Sequence, residues 1–176
     1  MSKHLLTGDQ FKELARPTSL HVDDAEINAY VRECEDVHII PAIGYARFKQ
    51  LTESEDLSDA DKVLLEGGEW VQKVERCECR AEEGERLQYC KGLRCALAYF
   101  VYGRMLRADG SLLSRAGFMQ HEDDYNRHFD DAKLKQYNDV MDIAERYLAS
   151  CLAYLQTLQP TKPVHGTRAR IYAIGD

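Results

Sequence analysis

Two clusters of side chains in this 176-residue sequence have the chemistry to hold a metal ion. The first is Cys77, Cys79, Cys90 and Cys95. Thiolates bind zinc, but the spacings here, C-x-C and then C-x4-C, do not reproduce the paired knuckles of structural zinc sites. Cys90 and Cys95, five apart on a helix, would also face different directions. The second cluster is His121 and His128 around Glu122, Asp123 and Asp124. It can attract a cation, yet a charged run of this kind is more often a solvated loop or the approach to a helix. The sequence has no glycine-rich phosphate loop, no nucleophile elbow and no His-Glu-x-x-His. Acids are plentiful, but spacing alone pairs none of them for acid–base work. The expectation is a protein that is not an enzyme and carries no cofactor. The alternative is a small cytosolic helical bundle that binds a metal or is catalytic.

Composition agrees with a folded scaffold. Apolar residues make up 44% and charged residues 30%, ordinary values for one soluble domain long enough to bury a real core. The first residues lack the apolar run of a signal peptide, so a cytoplasmic origin and mostly free thiols are expected. Cys34, Cys95 and Cys151 fall at apolar helical positions, where cysteine acts as a small buried hydrophobe. A net charge of −7 argues against a protein that coats nucleic acid, since phosphate binding needs a basic face.

The elements that must position these groups are mainly helical. Gly92–Leu106 is apolar on nearly every face, with Arg94 and Arg104 its only charges. A soluble helix of this kind is buried on several sides. It is too short, and too closely followed by arginine, to span a membrane. Leu134, Tyr137, Met141, Ala144, Leu148, Cys151, Leu155 and Leu158 recur at alternating spacings of three and four, a heptad seam. It predicts a long helix to about Gln159, stopped by Pro160, with the all-apolar helix as partner. A seam left exposed would instead mark a small interaction module that binds a partner helix.

Shorter elements precede these two. Thr7-Gly-Asp-Gln10 is a capping box that opens a helix to about Ala15, before Pro17. Asp23 and Glu26 open a second, with Ile27, Tyr30, Val31 and Cys34 on one face, to about Asp36. Pro41 suits the first turn of a third helix carrying Ile43, Phe48 and Leu51. Ser58 and Asp61 open a fourth through Val63–Leu65, ended by Gly67-Gly68. The second and third are expected to cover further faces of the central helix. Residues 69–88 fit either a helix or a strand, and an exposed hairpin or arm is the preferred reading. Ala108–Ser111 reads as a turn, Ser114–His121 as an extended crossing, and Glu122–Asp131 as a polar approach to the long helix. Residues 1–159 thus form one helical bundle with 69–88 as a variable insertion, and 160–176 an extended C-terminal arm. That arm holds Lys162, Arg168 and Arg170 and no acid before Asp176. It can pair with an edge strand of another chain or simply fray.

Several of these pieces, in this order, resemble the head–tail connector (adaptor, or neck ring) proteins of tailed bacteriophages, particularly those of Bacteroides-type hosts. They are Asp24–Arg32 with Ile39–Gly44, Leu64–Gly68, Gly92–Arg104, the Ala116–Tyr125 crossing and the long closing helix. The resemblance covers roughly residues 20–158, with 69–88 as a variable insertion. It implies a helical subunit of a homo-oligomeric ring, typically twelvefold, that joins the portal to the tail or a second neck protein. Such a ring sits in the neck of the virion, is assembled in the bacterial cytoplasm, and passes the genome through its lumen without gripping it. The family has no catalytic residues to carry over, and no membrane is involved. Its C-terminal arm reaches onto the portal or a neighbouring subunit, which here points to Arg168, Arg170, Ile171, Tyr172 and Ile174 as partner-binding residues.

Overall fold

The structure, a computed structural model, describes residues 4–16, 23–54, 56–74, 84–108, 112–114, 117–119 and 124–158. In chain order these form α1 (Gly8–Leu14), α2 (Asp24–Cys34), a π-turn (Glu35–Ile39), α3 (Ile40–Ile43), α4 (Tyr45–Glu53) and α5 (Asp59–Glu66). There follow β1 (Gly68–Val74), β2 (Gly84–Cys90), α6 (Leu93–Ala108), β3 (Leu112–Ser114), β4 (Gly117–Met119) and α7 (Asp124–Leu158). The protein is mainly α, and its centre is α6. Leu93, Ala96, Leu97, Phe100 and Val101 are fully or almost fully buried there, each of the larger ones contributing about 1.5–3 kcal/mol.

The most extensive packing is between α6 and α7. The two run antiparallel. Gly103, late in α6, lies against Val140 and Met141, while Tyr99 meets the Tyr147 ring edge-on at 5.3 Å. The seam is therefore covered within one chain, which removes the reading of an exposed helix-binding face. Its composition differs from the heptad at both ends. Val140 and Tyr154 are buried with Ala144, Cys151 and Leu155, whereas Leu134 is 58% and Leu158 41% exposed. A straight helix drifts out of a strict heptad register over this length, so the outermost seam residues rotate away from α6. The helix also begins at Asp124, inside what reads as a polar approach.

The other faces of α6 are covered by α2, the π-turn, α5 and α1. α4 packs on α3 and adds Leu51 to the core. The caps at Thr7, Asp23 and Ser58 form as their residue types predict, and the Thr7–Gln10 box closes in both directions.

The second and third helices depart from expectation. α2 ends at Cys34, close to the expected Asp36, and Pro41 falls in the first turn of α3, but no break separates the two and α3 ends at Ile43, before Phe48 and Leu51. The Ile40 N–H reaches back five residues to the Glu35 carbonyl, so α2, the π-turn and α3 form one continuous rod. Pro41 has no N–H, and in a regular α-helix its ring would crowd the carbonyl of residue 37; the widened turn before it makes room. The break falls at Gly44, whose φ of 82° suits only glycine, and α4 starts beyond it.

Residues 68–74 and 84–90 pair as the two strands of the expected hairpin, with Gly68 opposite Cys90 and Val74 opposite Gly84. It is rooted in the core, since Trp70 and Cys90 are buried and the Trp70 and Tyr154 rings lie 5.6 Å apart. The Ser114–His121 crossing is corrected to a small antiparallel hairpin, β3 with β4, as far as it is described. Residues 109–111, where the turn is expected, lie outside the described residues. No described helix is long and apolar enough to cross a membrane.

Candidate functional site

The partner-binding residues expected in the arm, Arg168, Arg170, Ile171, Tyr172 and Ile174, lie outside the described residues, as do Cys77, Cys79 and His121. His128 falls within the early part of α7. Cys90 points its thiol toward the Val63 carbonyl at 3.6 Å and lies beside Cys151. Cys95 lies near Lys91 and Tyr99 instead. Among the described residues no three His, Cys, Asp or Glu side chains come together as a metal site. Burial pushes the Cys34 and Cys151 thiols up to about 12 and raises Cys95 as well. These three sulfurs are protonated and poorly nucleophilic at neutral pH.

The π-turn gathers polar groups. Glu35 is buried, and its Oε1 accepts a hydrogen bond from the Leu5 N–H at 2.7 Å. Its Oε2 lies 2.8 Å from the His4 Nδ1. Arg32 Nε donates to His4 Nε2 at 3.2 Å, so the ring proton sits on Nδ1 and faces Glu35. The N-terminal segment is thereby clasped to the rod, and Arg94 Nε adds a bond from α6 to the Leu5 carbonyl at 3.0 Å.

One turn further on, the His38 ring stacks on Phe100 with centroids 4.1 Å apart and planes within 6°. Its buried Nε2 has no hydrogen-bond partner among the described residues. Burial, then the nearby Arg104 guanidinium, lower the pKa of His38, against the weaker pull of Glu145 and Glu33. Arg104 itself reaches Glu33 at 3.4 Å. Both are held close to the Cys34 thiol, whose proton burial retains despite that cation.

A third polar group joins α4 to α5. The buried Asp61 carboxylate pairs with Arg47 and accepts from the Ser58 hydroxyl at 2.7 Å, and Arg47 also donates to Gln50 at 2.9 Å. The chemistry on view is thus turned inward. Buried acids answer backbone N–H groups and arginines, as buried charges must.

The surface shows the complementary pattern. Val71, Leu87 and Tyr89 are 50%, 65% and 55% exposed on one face of the β1–β2 hairpin, while Leu134 and Leu158 stand out near the two ends of the α6–α7 packing. Sequence reasoning missed Glu35, His38 and Asp61, since an acid that will be buried looks like any other in a charged run. The one available sign was the Ser58–Asp61 spacing, read as a cap but not as a link to Arg47.

No curated protein and no solved structure matches the chain. One family model matches over residues 39–161, from the end of the π-turn through both hairpins and α6 to the last turn of α7 and just beyond. That span holds the whole α6–α7 scaffold, and the chain belongs to DUF6712, a family of unknown function.

Proposed function

We propose that this chain is a structural assembly subunit: a ring-forming head–tail connector that joins the portal to the tail, or to a second neck protein, in a tailed-phage particle. The observation that carries the reading is the division of labour between inside and outside. Described acids and histidines with structural partners are spent on holding helices together, while apolar side chains stand free on the hairpin and near both ends of the long seam. Surfaces of that kind suit repeated protein–protein contacts, and heterologous contacts between identical subunits close a ring. The order of sequence motifs supports the same reading. A net charge of −7 suits a lumen wall that lets DNA pass without binding it. The arm residues Arg168, Arg170, Ile171, Tyr172 and Ile174 are the proposed contacts with the portal.

Light scattering and negative-stain microscopy on the purified chain, alone and with the portal protein of the same genome, test this. Rings, formed by the chain alone or on the portal, are expected. A strict monomer that neither forms rings nor binds portal would overturn the proposal.

A further inference from the structure

The β1–β2 hairpin is a sheet of two strands, and neither has another strand beside it among the described residues. Each outer edge is a template on which a further strand can pair. The root of the hairpin is held in the core by Trp70 and Cys90, but Glu85, Arg86 and Leu87 are exposed one after another. Successive residues of a strand point to opposite faces, so this part of the hairpin stands clear of the bundle. A lone hairpin is marginal in water, and added strands are the usual remedy. The register leaves one charge unanswered. Glu69 is exposed, stands opposite Tyr89 and has no ion-pair partner among the described residues.

We propose that β1 pairs antiparallel with β1 of a second copy of this chain, joining two hairpins into one four-stranded sheet about a twofold axis at Val71. The sequence of β1, Gly-Glu-Trp-Val-Gln-Lys-Val, selects this occupant. Val71 is the middle residue of the strand, so two copies overlap over all seven positions. Val71 then lies opposite its own counterpart, and position 69 of each chain, a glutamate, lies opposite position 73 of the other, a lysine. Opposite charges set directly across two strands stabilise the pairing. The other edges do not offer this. β2 laid on itself about Leu87 sets Glu85 opposite Tyr89, and β1 laid on a second copy's β2 in the hairpin's own register leaves Glu69 against a tyrosine again. Antiparallel pairing also puts the root of each hairpin beside the clear end of the other, which keeps the two bundles at opposite ends of the sheet. A twofold contact is isologous, unlike the heterologous contacts that close a ring. The inference therefore goes beyond the connector reading and stands whether or not rings form.

The test oxidises the full-length Val71→Cys variant with copper phenanthroline at low protein concentration and maps the linked peptides by mass spectrometry. Isotopically light and heavy chains are mixed, so that a link between chains carries both labels. A β1 peptide joined through position 71 to a second copy of itself is expected. Its yield should fall several-fold with Glu69→Lys or with Lys73→Glu and recover when both are present, because the double exchange restores opposite charges. Unchanged circular dichroism melting shows that these surface variants still fold. Absence of a link between the two β1 strands, a preferred link from position 71 to any other cysteine, or a yield indifferent to the charge exchanges would overturn the proposal. Rings are scored separately by negative-stain microscopy of the unsubstituted chain, which keeps failure of one proposal distinct from failure of the other.

Discussion

Gly67 and Gly92 meet backbone to backbone. A β-carbon on Gly92 would stand 2.5 Å from the Gly67 nitrogen and from the Leu65 carbonyl oxygen, and one on Gly67 would stand 2.7 Å from the Cys90 oxygen. Both have positive φ, 93° and 86°. This contact brings the end of α5, the root of the hairpin and the start of α6 to one point.

Gly92→Ala should therefore be among the most damaging single-methyl additions in the chain, costing about 3 kcal/mol or more from strain and clash together. Gly103→Ala is the control. Its β-carbon would meet the Met141 sulfur at 3.0 Å, at a flexible side chain, and its helical position favours alanine. Urea denaturation should show a large loss for the first and a change within about 1 kcal/mol for the second.

Glu35 offers a second comparison. Glu35→Ala leaves the buried Leu5 N–H without an acceptor and frees His4, so a loss of about 2–4 kcal/mol is expected. Glu35→Gln keeps one carbonyl oxygen for Leu5 and should cost less. Hydrogen exchange at Leu5 would separate the two, with fast exchange in the alanine variant alone.

The stacked His38 makes stability depend on pH. Its folded pKa lies below the value of an unfolded histidine, about 6.5, so the unfolded chain takes up the proton first. Stability is fully present above that pH and declines as pH falls through it toward the lower folded value. His38→Phe keeps the stack on Phe100 without the titration. Melting temperatures of the two proteins at several pH values should show a shallower acid slope for the variant as pH falls below about 6.5.

Thiol labelling should follow burial. Cys34 and Cys151 are fully buried with their thiols pushed up to about 12, so peptide mapping after alkylation of native protein at pH 8 should find both unmodified. Denaturant should make them react together. Rapid native labelling of Cys151 would mean that the α7 seam opens readily.

Much of this fold was legible because local chemistry and tertiary packing agree. Thr7, Asp23 and Ser58 cap helices by side-chain bonds that depend on a few neighbours, and the all-apolar α6 had to be central. The π-turn was hidden for a physical reason. The buried stripe runs Ile27, Val31, Cys34 and then Ile39, one residue late, which imitates a helix end. Pro41 reinforced that impression. The β3–β4 hairpin was missed because Arg115-Ala116, the two residues between the paired Ser114 and Gly117, does not resemble the Asn-Gly or Asp-Gly signal of tight hairpins. The polar site residues were illegible because Glu35 and His38 acquire partners from residues 4–5 and 100–104, far away in sequence.

α7 has 35 residues and α6 has 16, lengths of about 52 and 24 Å. Toward the start of α7 the pair is joined by Arg107 over Tyr137 and by Gln136 donating to the Tyr102 hydroxyl, and α7 begins further back, at Asp124. The 19 residues by which α7 exceeds α6 (35 less 16) amount to about 28 Å of helix. Adding one heptad near Asp124 would carry the start of α7 about 10 Å outward with nearly the same facing, whereas adding three or four residues would also turn it around the helix axis. Helix length at that end is thus a distance, set in steps of about 1.5 Å per residue, that can change while the packing of Tyr99 on Tyr147 stays as it is.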